Sequence, residues 1–568
     1  MWHLRWHPGY LRDVLALSSA LEELQERVAA EFGESGINIA RFDVRSYPDE
    51  IVFIVSVSGD DLPAAAELGN TLDSLFGEYG FEGFITVKRA TAAELPRPSP
   101  LTAGVHDPRA VELTRLITGR SRTSEAQPSL AYISDVQASI AAVAAARHHL
   151  VFGRRGAGKT ALLLEARRRL EADGHLSLWL NLQTLRHEPV DRIYLIFAQR
   201  IVEEIQMYAQ RHGWTSSMLL SSASKLLEAI ERQLSADVPD EGKVRRVIPR
   251  LQVILKRFLE SSAERLYIFV DDFYYVPRSH QPLLLDMFHG SIRDADAWLK
   301  IASIRHLTRW FDATEQLGLE SMHDADHVDL DVTLQDPMRA KRFLERVLDR
   351  YARHVGVARP SALFSGAALD RLVLACGAVP RDYLLLSASA VTLSRKRDNA
   401  KLVGVQDVNQ AAGEAAKAKL QELEDDLAAD TASATRTVHA LDTVRRFCLE
   451  EQQCTYFRID FKDRERHQRE HEILMGLMEV RLAHLVDPSV SDGRRAGERA
   501  EVYMLDLSQY SGARLKKGVR VLDLERGMIV SRRTGEKGAG KHGRTPLEVI
   551  GILRASPVLA LELLGDAL

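Results

Sequence analysis

The chain has 568 residues, 45% of them apolar and 27% charged, with a formal net charge of −4. That is an ordinary globular composition, long enough for roughly three or four domains with large cores, and it excludes a wholesale polyanion binder: any nucleic-acid contact must come from local patches. Three cysteines, Cys376, Cys448 and Cys454, are too few and too scattered for a zinc site or a disulfide framework, which suits a reducing compartment.

No apolar run approaches about 18 residues, and the first residues lack the apolar core of a signal peptide, so a soluble cytoplasmic protein without a membrane segment is expected. Residues 1–90 read as a small α+β domain. Apolar residues at helical spacing (Leu11, Val14, Leu15, Leu21, Leu24, Val28) lead to strand-like runs at 37–44 and 51–57. A second helix, begun by Asp60-Asp61-Leu-Pro, runs to Tyr79, and 84–88 is a third strand, giving a layer of ferredoxin-like flavour. Trp2, His3, Trp6 and His7 read as a sticky terminus rather than a ligand cluster. Residues 91–130 are a linker, proline-rich from Leu95 to Pro100, and a helix started by Asp107-Pro108. Residues 132–135 cap a further helix to Ala146.

The next stretch carries chemistry. Leu150 to Phe152 is a buried strand, Gly153 to Thr160 match GxxxxGK[ST], and a helix follows. Glycines at 153, 156 and 158 let the amides of Arg154, Arg155, Ala157 and Ala161 turn toward a phosphate, at which the helix also points the positive end of its dipole. Lys159 would reach the β- and γ-phosphates, and the Thr160 hydroxyl would ligate Mg²⁺. Residues 128–133, just before the loop, are either an adenine pocket or plain core.

Strands at 176–182, 265–271, 298–305 and 328–334 alternate with helices at 190–210, 217–234, 244–259 and 281–292, which predicts a doubly wound parallel sheet over 131–335. The second of these strands delivers Asp271 and Asp272 to its C-terminal end, where such sheets bind ligands. Asp271 suits the metal shell and Asp272 a water-polarising acid. Arg305 ends the next strand, where it could touch a γ-phosphate or pair with a surface acid. His323, Asp324, Asp326 and His327 read as a polar loop entering a strand rather than a metal site. Residues 336–430 are all helix, and Arg381 stands at the start of the helix after Pro380, where a phosphate would suit it; the alternative is an exposed arginine on a lid.

Gly153 to Thr160, Val270-Asp271-Asp272, Ser303-Ile-Arg305 and Gly377-Ala-Val-Pro-Arg381 together resemble the AAA+ ATPases of the origin-recognition and Cdc6-like group and their STAND relatives, over about residues 130–430. The resemblance implies an α/β P-loop fold with a helical lid and a C-terminal winged helix, with ATP and Mg²⁺ as cofactors. It places Walker A on Lys159 and Thr160, Walker B on Asp271 and Asp272, sensor 1 on Arg305 and sensor 2 on Arg381. Two departures stand out: Asp272 replaces the usual Glu, which implies slow hydrolysis, and Ala378 stands where the lid-turn glycine is expected. The resemblance assigns no arginine finger, and Arg293 is no more than a guess.

Residues 431–510 read independently as a winged helix: a helix around 438–447, a strand at 455–459, a recognition helix from Arg464 to Arg481, and a hairpin of 483–486 with 502–505. Arg464, Arg466 and Arg469 start the recognition helix, and Arg494, Arg495 and Arg499 lie at the wing tip, both positions from which such a module meets double-stranded DNA; Glu465 and Glu470 dilute the helix's charge, and the alternative is a solvated or protein-binding face. Over 514–544, in a tail spanning 511–568 and ending in a helix, ten Lys or Arg oppose three Asp or Glu, a source of sequence-independent phosphate affinity. Gly535 to Lys541 copies the phosphate-loop spacing but lacks the Ser/Thr, and reads as a flexible basic loop. The expected function is a nucleotide-gated, DNA-binding switch that oligomerises with its own kind on ATP; the rival is a signalling scaffold, as in antiphage defence, whose N-terminal domain recruits an effector protein.

Overall fold

The computed structural model describes all residues except 1–7, 48–49, 60, 92–100, 102, 121–138, 215–216, 322, 428–430, 492–496, 512–515, 526–527, 536–545 and 566–568. The proline-rich linker, the adenine-pocket segment 128–133, the cluster at 2–7 and the wing-tip Arg494 and Arg495 therefore lie outside the described residues. The chain divides into two compact units, Met1–Ser99 and Pro100–Leu568.

In the first unit the order is α1 (Pro8–Glu34), β1 (Ile39–Ser46), β2 (Ile51–Val57), α2 (Leu62–Leu72), α3 (Ser74–Glu78) and β3 (Gly83–Arg89). β1 pairs antiparallel with β2, and β2 parallel with β3, as the helical crossover between them requires. Leu24, Val28 and Phe32 of α1 close the core over Phe53, Val55 and Phe76. The single helix expected to reach Tyr79 is instead broken at Asp73, whose carboxylate accepts the Ile85 amide at 2.7 Å and ties the break to β3.

The second unit begins with α4 (Pro108–Gly119) and α5 (Ser139–Ala144), followed by β4 (His148–Phe152), α6 (Lys159–Ala172), β5 (Leu176–Asn181), α7 (Val190–Arg211), α8 (Ser217–Leu234), α9 (Glu241–Ser262), β6 (Leu266–Asp271), α10 (Gln281–Ile292) and β7 (Ala297–Ser303). A two-residue pair, β8 (Phe311–Asp312) and β9 (Leu317–Gly318), precedes β10 (Ala325–Asp329). The five-stranded sheet runs β10-β4-β7-β6-β5 and is parallel throughout. It is covered on both faces, as its unbroken apolar strands demand. Ile140, Leu162, Leu163 and Ala166 cover Val151, Phe269 and Ala302 on one side. Residues of α7 to α10 cover Leu150, Ile268, Val270 and Ile301 on the other. β7 lies between the strand that feeds the loop and the strand that carries the acids. The fifth strand comes three residues earlier than the expected 328–334. It is an edge strand, where His327 and Asp329 are tolerated because one side faces away from the sheet.

Then come α11 (Pro337–His354), α12 (Gly366–Ala375), α13 (Pro380–Arg395) and α14 (Val405–Leu427), followed by α15 (Thr431–Arg446), β11 (Tyr456–Asp460), α16 (Phe461–Arg466), α17 (Gln468–Glu479), β12 (Ala483–Ser491), β13 (Arg499–Leu505), β14 (Arg520–Glu525), β15 (Met528–Arg533) and α18 (Pro546–Arg554). The antiparallel order β11-β13-β12 with helices before and between is the sequence of elements expected of a winged helix. One apolar core runs through all of this, with Leu372 and Tyr383 of the lid continuous with Leu474, Tyr503 and Val521 beyond it. The segment expected as a basic tail thus contains a hairpin, β14 with β15, whose Val521, Leu522, Leu524, Ile529 and Val530 are buried. Among the described residues no helix is long and apolar enough to cross a membrane.

Candidate nucleotide site

β4 ends at Phe152 and the chain turns through the loop into α6. Gly156 and Gly158 take φ of 83° and 102°, left-handed values that only glycine adopts at little cost, so the loop curls as the motif requires. Lys159 is buried, and its ammonium donates to the carbonyls of Gly153 at 2.7 Å and Arg154 at 3.2 Å, folding back on its own loop. Burial pulls its pKa down, against the charges of Asp272, Asp331 and Asp271. The Thr160 hydroxyl donates to Asp271 Oδ2 at 2.8 Å, which brings the two expected metal ligands into register.

Asp271 is buried, and burial together with the neighbouring Asp272 carboxylate pushes its pKa up to about 7. Asp272 holds φ at 56°, a strained position for a residue with a Cβ and a common mark of functional sites. Burial raises its pKa as well, eased by Lys159, a hydrogen bond from Tyr274, Arg155 and Arg381. Two adjacent carboxylates whose pKa values stay raised despite the neighbouring cations, beside a hydroxyl, form a donor set suited to a hard divalent cation. The glycine cradle, Lys159 and this pair therefore fit a magnesium nucleotide.

The lid meets the loop directly. Gly377 and Ala378 both take left-handed φ, 56° and 65°, so Ala378 adopts the glycine-like turn despite its Cβ. This turn aims α13 at the loop: the Arg381 amide lies 3.4 Å from the Gly156 carbonyl, and a Cβ on Gly156 would fall 2.9 Å from Arg381 Cβ. Arg381 is close enough for its charge to act on both Lys159 and Asp272.

Two expected residues are turned elsewhere. Arg154 faces away from the phosphates: its amide donates to Asp331 Oδ1 at 2.9 Å, and its guanidinium reaches Asp331 at 3.2 Å, Val332 O at 3.0 Å and Gly377 O at 3.1 Å. Arg305 lies over the Phe152 ring at 4.4 Å and pairs with Asp329 at 3.4 Å across the edge of the sheet, the surface-acid alternative rather than a phosphate contact. The next residue, His306, faces the site instead, 3.7 Å from Glu479. Glu479 also lies 3.0 Å from Arg155 Nε, and Arg155 stands 5.6 Å from the Tyr274 ring. Nothing in the sequence marked Glu479, which comes from α17, more than 300 residues after the loop. Arg293 accepts Gln252 through its carbonyl and caps α10 on the helical side of the sheet. Of the metal-like residues, Asp324 accepts the Glu320 amide at 2.8 Å and Asp326 pairs with Arg147 at 2.6 Å, while His327 packs between Phe152 and Trp310. Among the described residues no group of three or more His, Cys, Asp or Glu is gathered as metal ligands, and all three cysteines are free and buried.

The expected recognition helix is two helices. The His467 ring lies 2.7 Å from Asp463 and its backbone leaves the helical region, so Arg464 and Arg466 sit on α16 and Arg469 in the first turn of α17. Arg464 is tied to Glu501 at 2.6 Å, whereas Arg466 and Arg469 are exposed. Arg499 starts β13, 3.4 Å from the Ser489 hydroxyl.

No protein-family model matches the chain, and no curated protein matches it. Among solved structures, the Aeropyrum pernix Orc1 protein in complex with DNA is similar at 16% identity, covering 72% of this chain and 90% of that one with a TM-score of 0.32. Cdc6p from Pyrobaculum aerophilum is similar at 11% identity, covering 64% and 85% with a TM-score of 0.29. A Thermotoga maritima RuvB variant covers 48% and 66% at 13% identity, with a TM-score of 0.26. These are distant likenesses, and what the site can do follows from its own residues.

Proposed function

We propose that this chain is an AAA+ nucleotide switch of the origin-recognition/Cdc6-like kind, which binds ATP with Mg²⁺ in the loop 153–161, hydrolyses it slowly, and binds double-stranded DNA through its C-terminal module. The observation that carries the nucleotide part is a convergence at the C-terminal edge of a parallel sheet: a left-handed glycine loop, a buried lysine whose ammonium donates to that loop's carbonyls, and the 2.8 Å Thr160–Asp271 pair. Mg²⁺, when bound, would add the positive charge that lets Asp271 and Asp272 both stay ionised. Thr160 and Asp271 hold it, Lys159 exchanges loop carbonyls for phosphate oxygens, and Asp272, fixed by Tyr274, orients water. An aspartate reaches less far than a glutamate, so turnover is slow. Arg381 reports the phosphates to α13, and because lid and C-terminal module share one core the report passes to the whole of 337–564. Calorimetry with ATP and Mg²⁺ tests this: Lys159→Ala abolishes binding, and retained affinity in that variant overturns the site.

For DNA, the support is the exposed Arg466 and Arg469 on adjoining helices, with Arg499 at the base of the wing. A second reading, an ATP-assembled scaffold that recruits an effector protein, is favoured by one feature. Glu472 and Glu479 engage Arg278 and Arg155, which turns one side of α17 toward the nucleotide unit instead of outward. Duplex binding by the full chain, weakening as salt rises, supports the first; no binding, with ATP-dependent assembly intact, supports the second.

A further inference from the structure

The turn from α17 to β12 reaches the nucleotide site at three points. Glu479, the last residue of α17, places its carboxylate 3.0 Å from Arg155 Nε and 3.7 Å from His306 Nε2. Arg481, left-handed at φ 61°, donates to Asp382 at 2.7 Å, one residue from Arg381. His484, fully buried and 2.7 Å from Asp506, lies against Gly377, the lid-turn residue that Arg154 also holds. A carboxylate from the C-terminal module therefore stands at the tip of the phosphate loop. Its side chain is 14% exposed, and Oε1 is shielded from solvent without a hydrogen bond aligned to it. An acid is tolerated there because Arg155 and His306 lie against it and the Lys159 charge reaches it. Burial alone would raise its pKa; the His306 contact with the Arg155 and Lys159 charges outweighs it and holds the group ionised.

A nucleotide brings its own negative charge to those cations. The inner phosphates lie against the loop amides and the start of α6, whereas the outermost phosphate of a triphosphate extends to Lys159 and the metal ligands. That is the end of the cradle where Glu479 sits. We propose that Glu479 is a specificity-determining residue: seated at Arg155 and His306 it repels a γ-phosphate and accommodates a diphosphate, so this arrangement holds ADP in preference to ATP. ATP then binds only as the end of α17 withdraws, carrying with it the helix that bears Arg469. The inference rests on the nucleotide site proposed above.

The test is calorimetry on the full chain with Mg²⁺, comparing ADP with the non-hydrolysable analogue AMPPNP. Wild type binds ADP at least about tenfold more tightly than AMPPNP, as expected for a nearby like charge in a half-shielded site. Glu479→Gln, which keeps the shape and removes the charge, gains about tenfold or more for AMPPNP while ADP stays within about threefold. A merely structural role would move both ligands together, and an equal change in both, or none, overturns the proposal. If the variant does not fold, wild type decides alone: AMPPNP bound as tightly as ADP overturns it. Should wild type bind neither ligand, both the proposal and the nucleotide site fall; Lys159-dependent binding with unaltered selectivity in Glu479→Gln sinks this proposal alone.

Discussion

Arg154 sits within the phosphate-loop motif yet serves as a clasp. Its guanidinium bridges the loop to Asp331 and Val332 on the segment after β10 and to Gly377 of the lid turn, and it is 8% exposed. Arg154→Met keeps most of the apolar stem and strips the buried Gly377 carbonyl and the half-buried Val332 carbonyl of a charged donor. Each stranded acceptor costs about 1–3 kcal/mol. The ion pair adds little, since Asp331 is 29% exposed and keeps the Arg154 amide. Removing a desolvated guanidinium returns part of the loss. The net expectation is about 2–4 kcal/mol of destabilisation, read as a fall in the urea midpoint without a change in slope. Hydrogen exchange in the same variant should lose protection at 376–381 and at the loop, because both ends of the clasp are freed. ADP affinity should change less than about threefold, against a loss of about a hundredfold or more for Lys159→Ala, whose ammonium in the proposed site is a charge-assisted phosphate donor. Less than about 0.5 kcal/mol of destabilisation with unaltered exchange at the lid turn would refute the clasp. So would an ADP loss equal to that of Lys159→Ala, which would make Arg154 a phosphate ligand after all.

Asp271→Asn keeps the bond from Thr160 but relieves two crowded carboxylates, so the metal-free protein should melt about 2–4 °C higher, while the stabilisation by Mg²⁺ with ADP disappears. Burial depresses His148 to about 3 and His149 to about 4, so both stay neutral in the fold while the unfolded chain protonates them below about 6.5. Their contribution is complete above that pH and is lost as pH falls toward 4, at about 2.7 kcal/mol per pH unit for the two; Asp271, shifted upward, offsets about half. His148→Gln should therefore reduce the loss of urea stability between pH 6.5 and 4.5 by about one proton's worth, 1.4 kcal/mol per pH unit, and an unchanged slope would count against it. Gly377→Ala would set a Cβ 2.0 Å from the His484 ring at φ 56°, and should cost at least about 3 kcal/mol and loosen the C-terminal module in hydrogen exchange. Gly83→Ala would set a Cβ 2.1 Å from Ile51 O; it should unfold the first unit by circular dichroism yet leave ADP affinity intact.

What was legible in the sequence was whatever depends on local pattern. The loop, the acidic strand, the helices at 217–234 and 281–292 and the Pro-Arg start of α13 all lie where periodicity and capping place them. What was illegible depends on contacts between distant segments. The expected recognition helix reads as continuous because Ile473, Leu474, Leu477 and Met478 are correctly spaced, and only the Asp463–His467 contact and the departure of the His467 backbone from the helical region reveal the break. In 514–544 the count of basic residues obscured the hairpin, although Val521, Leu522 and Leu524 against Ile529 and Val530 are ordinary strand material. Arg305 and His306 are neighbours, and the chain alone could not tell which would face the site; a short helical turn after β7 swings Arg305 onto Phe152 and leaves His306 inward.

The continuity of the lid with the C-terminal module sets how a signal can travel. If these were separate domains, a phosphate sensed by Arg381 would move α13 and stop at a linker. Instead Tyr383 of α13 is buried in the same core as Leu474 of α17 and Tyr503 of β13, so a shift of α13 that kept this core packed would carry α17 with it. Breaking that packing would expose large apolar side chains, each worth roughly 1.5–3 kcal/mol. Among the described residues, the module meets the nucleotide-binding part through ion pairs, Glu479 with Arg155 and His306 and Glu472 with Arg278. Coupled motion therefore yields first at these ion pairs and last in the core, and in the proposed site it is at the weaker of the two joints that phosphates would compete for the cations.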